Sequence, residues 1–193
     1  GQIVRVEVLN QSVYTNVSVT KRGYKQVTPS QTIRYDFKNI ANNSTVPLNS
    51  FYWRDTLPTS AVRLTKIITG TWNQKLSYKV VYKTNLHDYR TLADNLSTMK
   101  NYSLDASPAA LGLASNEYVT DFMFVFGTVK AGFAQVDAPS ILCWTNSWLN
   151  NGYQFANRTD VGGLHGGQWI MATDRWVTTV YKPGVTTLPK TGY

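Results

Sequence analysis

The chain has 193 residues, a formal net charge of +8, 42% hydrophobic residues and a 13% share of aromatic ones. That is enough to build a core without staples, and too many rings for a disordered polymer. The cations are scattered singly, as at Arg5, Lys21, Arg34, Lys38, Arg63, Lys79, Lys130 and Arg175, so a solubilising surface is expected and no nucleic-acid partner.

Residues 1–12 read as an edge strand or the remnant of a preceding region, without the charged start and apolar core of a secretion signal. From there the dominant period is two. "VSVTK", "TIRYDFKNI", "SFYWRDT", "VRLTKII" and "LSYKVVYKT" alternate or run apolar, with many β-branched and aromatic residues. "VTPSQ", "NNSTVP", "LPTSA" and "TGTWNQ" punctuate them as turns. "HDYRTLADNLSTM" then reads as a short helix with Leu92 and Leu96 four apart, and "SPAALGLAS" as a second, with Ser and Pro at its start. "YVTDFMFVFGTV" and "QWIMATDRWVTTVY" return to strands. Eight to ten strands with one or two short helical insertions predict an all-β fold, an antiparallel β-sandwich. The sandwich domain spans residues 1–181, and residues 182–193 read as a flexible stalk. No run reaches the length of a membrane helix. Cys143 is the lone cysteine, so no internal disulfide can form. In "ILCW" it reads as a small buried hydrophobe.

The most specific stretch is "TTLPKTGY" at the C-terminal end. Its Pro and Gly break regular structure and nothing in it packs a core, so the plain reading is a frayed tail. The sharper reading is that Leu188, Pro189, Lys190, Thr191 and Gly192 are a substrate for another enzyme. An extended segment kinked by Pro, without internal hydrogen bonds, suits an active-site groove.

Val17 to Thr59 carries a strand with Lys, a turn with Pro, "TIRY", an Asn-rich turn and "DTLP". This pattern resembles the immunoglobulin-like domains of Gram-positive cell-wall surface proteins, and the isopeptide-forming domains of their pilins and collagen-binding adhesins. "YQFANRTDVGG" is similar to the late strand in which such domains carry an Asn, and L-P-x-T-G is the sorting signal of the same class. The resemblance implies an immunoglobulin-like sandwich that is the substrate of a sortase and not itself a turnover enzyme. Cleavage would fall between Thr191 and Gly192, followed by transfer to peptidoglycan or a pilus subunit. The apolar span and basic tail that follow the motif in that class are absent here, so either the chain is cut after the motif or the motif was appended as a tag, and the surface-domain pattern in the body of the chain favours a cut.

The resemblance also implies an internal cross-link, joining Lys21 of an early strand to Asn157 of a late one beside a catalytic acid, Asp55. Apolar neighbours surround two of the positions: Asp55 follows "FYW" and Asn157 follows "YQFA". Burial would make the Lys amine neutral and the Asp protonated, as attack on a carboxamide requires. Lys25 and Glu117 are the reserve amine and acid. The plainer alternatives are a surface Lys21 at a strand end, an Asp55 that caps the "DTLP" turn and an Asn157 in a bulge.

Other signals are weaker. Trp144 and Trp148 in "CWTNSWLNNGY" suggest a loop that stacks on a glycan or meets a host protein, against the simpler expectation that they fill the core. "LHGGQW" lacks the G-x-S-x-G elbow of a hydrolase, and "SVTK" fits a loose S-x-x-K pattern without its partner motifs. His87 and His165, the only histidines, sit near neither a cysteine nor an acidic cluster. No metal and no cofactor is expected.

Overall fold

The computed structural model describes residues 12–184. Two sheets face each other across an aromatic core. One has five strands in the order β1 (Val17–Arg22), β3 (Thr32–Asn42), β10 (Ser140–Thr145), β5 (Val62–Ile68) and β8 (Ser103–Asp105). The other has seven: β2 (Gln26–Val27), β12 (Gln168–Val180), β11 (Gln154–His165), β4 (Leu48–Thr56), β9 (Val119–Val129), β6 (Ser77–Thr84) and β7 (Arg90–Ser97). Neighbouring strands run antiparallel, apart from the short β2, which lies parallel to β12. The fold is the expected β-sandwich, all-β and antiparallel but for β2.

The period of two explains the packing. In β4, Phe51 and Trp53 point inward and are fully buried, while Tyr52 and Arg54 point outward. The rings of Trp53 and Phe37 meet edge to face at 4.5 Å, and those of Trp53 and Phe124 at 4.6 Å. Trp72 stacks on Phe133 at 5.4 Å. Ring pairs of this kind add directional attraction to the burial of apolar area.

One predicted helix is a strand. "HDYRTLADNLSTM" contains β7, an edge strand paired with β6 through two register shifts. Residues four apart share a face in a strand as well as in a helix, so Leu92 and Leu96 did not discriminate. The second prediction holds: α1 (Pro108–Leu111) is one turn, with Ser107 accepting from Ala110 N–H and Gly112 closing it at φ 63°. Among the described residues twelve strands form, against the eight to ten expected, because β2 and β8 are only two and three residues long. Among the described residues no helix is long and apolar enough to cross a membrane.

A buried amine, acid and amide between the sheets

Three of the sequence-predicted residues meet in the interior. Lys21 comes from β1 in the five-stranded sheet, and Asp55 and Asn157 from β4 and β11 in the seven-stranded one. Each is there because of strand phase. Val17, Val19 and Lys21 fall on the inward positions of β1; Phe51, Trp53 and Asp55 on those of β4; and Phe155, Asn157, Thr159 and Val161 on those of β11. All three polar residues are 0% exposed. A surface Lys21, an Asp55 that only caps a turn and an Asn157 in a bulge are therefore set aside: Asn157 lies in regular pairing opposite Trp176.

The Lys21 Nζ lies 2.7 Å from Asp55 Oδ1. It also stands 4.3 Å from the centre of the Tyr35 ring and 4.1 Å from that of Phe37. The Lys21 backbone N–H donates to Asp174 Oδ2 at 2.8 Å, which fixes the strand position of the amine. Asp55 Oδ2, both side-chain polar atoms of Asn157 and the Tyr35 hydroxyl are buried without a standard hydrogen-bond partner. Asn157 nevertheless lies against both Asp55 and Tyr35. Buried polar groups are rarely left unpaired. Four such atoms lie together around the Lys21–Asp55 contact.

Burial sets the protonation. It lowers the Lys21 pKa from 10.5, with the Asp55 charge pulling the other way. It raises the Asp55 pKa from 3.8, opposed by the charge and hydrogen bond of Lys21 and, less, by the nearby Asn157 amide. In water a neutral amine and a protonated carboxyl occur at opposite ends of the pH scale. Here both shifts run toward one another, so the two forms can coexist. Burial also pushes the Cys143 thiol and the Tyr35 phenol well above their ordinary ranges, which keeps both protonated. Cys143 is fully buried, as its apolar run implied.

Tyr35 was missed by the sequence reading. It follows Ile33 and precedes Phe37 at inward positions of β3, so alternation carried the signal. Gly23, just after β1, lets the chain close over it. A Cβ at Gly23 would stand 2.7 Å from Tyr35 Cδ1 and 2.9 Å from Trp176 Cδ1.

The remaining candidates lie elsewhere. Lys25 is exposed. Glu117 is bound by the Thr84 hydroxyl at 2.6 Å and Arg90 at 2.9 Å, on a different part of the seven-stranded sheet. Trp144 and Trp148 do not fill the core: they are 44% and 64% exposed. Both flank Arg63, Trp144 as its cross-strand neighbour and Trp148 with its ring centre 5.9 Å from the guanidinium. Leu188, Pro189, Lys190, Thr191 and Gly192 lie outside the described residues.

No protein-family model and no curated protein matches the chain. Among solved structures it is similar to a cohesin module from a Clostridium perfringens family 33 glycoside hydrolase, with 9% identity, 89% of this chain and 99% of that one covered, and a TM-score of 0.40. It is similar to AvmM, described as catalysing macrocyclization in alchivemycin A biosynthesis, with 10% identity, 90% and 93% coverage and a TM-score of 0.38. A third likeness is to AggA, the major subunit of Escherichia coli aggregative adherence fimbriae type I, with 9% identity, 92% and 99% coverage and a TM-score of 0.30. Likenesses this distant assign no function.

Proposed function

We propose that this chain is an extracellular structural module of a cell surface, a stalk or pilin-like subunit. It ties itself together through an amide between Lys21 and Asn157, and a sortase attaches it through Leu188–Gly192. The observation that carries the cross-link is the fully buried contact of amine and acid beside an unpartnered carboxamide. Neutral Lys21 Nζ attacks Asn157 Cγ while protonated Asp55 donates a hydrogen bond to the carboxamide oxygen. The tetrahedral carbon then expels its nitrogen. Asp55 takes a proton from the attacking nitrogen and delivers one to the leaving nitrogen, so one ammonia departs and the acid is regenerated. The fold supplies proximity in place of a collision. The aromatic wall excludes water, which would otherwise solvate the ammonium form and compete for the carboxamide.

The energetic return is large for one bond. By analogy with disulfide loop entropy, closing a loop of about 136 residues would stabilise the fold by roughly 5 kcal/mol. Intact mass under denaturing conditions tests the reading: the chain should be lighter than its sequence by one ammonia, and a full sequence mass would end it. Anchoring is tested separately. Incubation with a sortase and a glycine-based amine should release Gly192–Tyr193 and leave the amine on Thr191.

A further inference from the structure

The outward face of the seven-stranded sheet carries a second arrangement, independent of the cross-link. Register lines up rows of side chains across β12, β11, β4, β9 and β6. One row runs Met171, Gly162, Tyr52, Val125, Lys79; another runs Arg175, Arg158, Thr56, Asp121, Lys83. The first lies over a groove of about 460 Å³, lined by Tyr52, Arg54, Met123, Val125, Trp169 and Met171, with Ser50 the only other side chain that can hydrogen bond there. Trp169 and Met171 are 52% and 60% exposed. Gly162 is what shapes the floor. A Cβ there would stand 2.8 Å from Tyr52 Cε1, so only glycine lets the Tyr52 ring lie flat and meet Trp169 edge to face at 5.9 Å.

The second row contains a conflict. Arg158 and Arg175 stand directly opposite each other, both exposed, and neither joins an ion pair among the described residues. Directly opposed like charges destabilise a strand pair. The near carboxylates are occupied. Asp160 takes two hydrogen bonds from Arg54 at 2.9 Å and one from Tyr52, and Asp174 faces inward and accepts the Lys21 N–H. Together with the row between them, Thr173, Asp160, Arg54, Met123 and Val81, these rows hold five cations, Lys79, Lys83, Arg54, Arg158 and Arg175, against the two carboxylates of Asp121 and Asp160.

We propose that this face binds an extended acidic peptide segment. One apolar side chain sits in the groove, and carboxylates four or five residues further along bridge Arg158 and Arg175. Met171 and Arg175 are four residues apart on one strand, about 13 Å at strand rise, and an extended peptide covers that distance in the same number of residues. The paired guanidiniums offer the fork geometry that carboxylates match. Thioethers, a branched aliphatic and ring edges suit an apolar side chain of a protein, since Met adapts to such contacts. Of the polar groups in the groove, Tyr52 and Arg54 are already bonded to Asp160, which leaves the Ser50 hydroxyl and the Trp169 N–H to meet a sugar's hydroxyls, fewer than a sugar needs.

The test uses a fluorescein-labelled hexapeptide, Phe-Gly-Ser-Gly-Asp-Asp, followed by anisotropy against the full chain at low and high salt. Saturable binding that weakens with salt is expected. Arg158→Glu with Arg175→Glu should weaken it at least about tenfold, and Trp169→Ala by a similar factor without changing the salt dependence. Thermal melts would confirm that both variants stay folded. The proposal is overturned if no saturable binding occurs, if a peptide with lysines in place of the aspartates binds equally, or if the folded variants bind like the parent. Stronger competition by a uronic-acid oligosaccharide than by unlabelled peptide would overturn it in favour of a glycan site. None of these outcomes depends on whether Lys21 is cross-linked.

Discussion

Two ion pairs sit one residue apart on β4 and differ in everything but charge. Asp55 faces inward to Lys21 at 2.7 Å, with both side chains 0% exposed. Arg54 faces outward to Asp160 at 2.9 Å, and its side chain remains 38% exposed. Outside, water reaches the Arg54 side chain although Asp160 is itself buried, and the pair orients Tyr52 and closes one end of a groove. Inside, the loss of solvation outweighs the attraction, so the proton is drawn from amine toward carboxyl. The contrast teaches that burial, more than partner identity, moves an ion pair toward its neutral amine and acid forms.

Breaking the inner pair should have the largest effect. Asp55→Ala is expected to abolish ammonia loss and lower stability by roughly 5 kcal/mol through the missing cross-link, read by intact mass and urea unfolding. Normal cross-linking in this variant would remove Asp55 from the mechanism. Tyr35→Phe keeps the wall around Lys21 but deletes the hydroxyl beside Asn157. It should slow amide formation up to about tenfold, the worth of one hydrogen bond to the reacting carboxamide, followed by mass as chain recovered unlinked from inclusion bodies is refolded from urea. An unchanged rate would make Tyr35 mere packing.

The pH dependence of that refolding rate sharpens the comparison. Because burial lowers the Lys21 pKa and raises that of Asp55, the rate should peak where both are neutral. It should fall in acid as Lys21 gains a proton, and in alkali as Asp55 loses its own. The two limbs belong to the coupled pair rather than to either residue. A rate that climbs steadily toward 10.5, the ordinary lysine pKa, would mean that burial does not prepare the amine. Outside the core the effects shrink. Asp160→Asn should cost about 1 kcal/mol, for hydrogen bonds to Arg54 and Tyr52 that solvent partly replaces. Arg34→Ala, which removes a pair exposed on both sides, should change stability by less than about 0.5 kcal/mol in the same urea titrations.

Much of the inner site was legible because strand phase is local. Reading every second residue back from Lys21, Asp55 and Asn157 reaches Val19, Trp53 and Phe155, so alternation alone put three polar groups on apolar faces. The meeting of those faces was not local, and it came only from the resemblance. Register was the illegible quantity. The opposition of Arg158 and Arg175 depends on how β11 folds back on β12, and seventeen residues of sequence separation hide it. The helix expected around Leu92 failed for a related reason, since spacing by four fits both periods and the bulges of β7 obscure its alternation.

The position of Asn157 near the start of β11 has a mechanical consequence. With the amide in place, β12 lies beyond the tie. Tension arriving from the C-terminal side would peel its thirteen residues from β11 before it reached the covalent link, extending the molecule by at most about 3.4 Å per residue released. Hydrogen bonds broken that way re-form when the load falls. The module would thus yield a little at one end, like a damper on an inextensible cable.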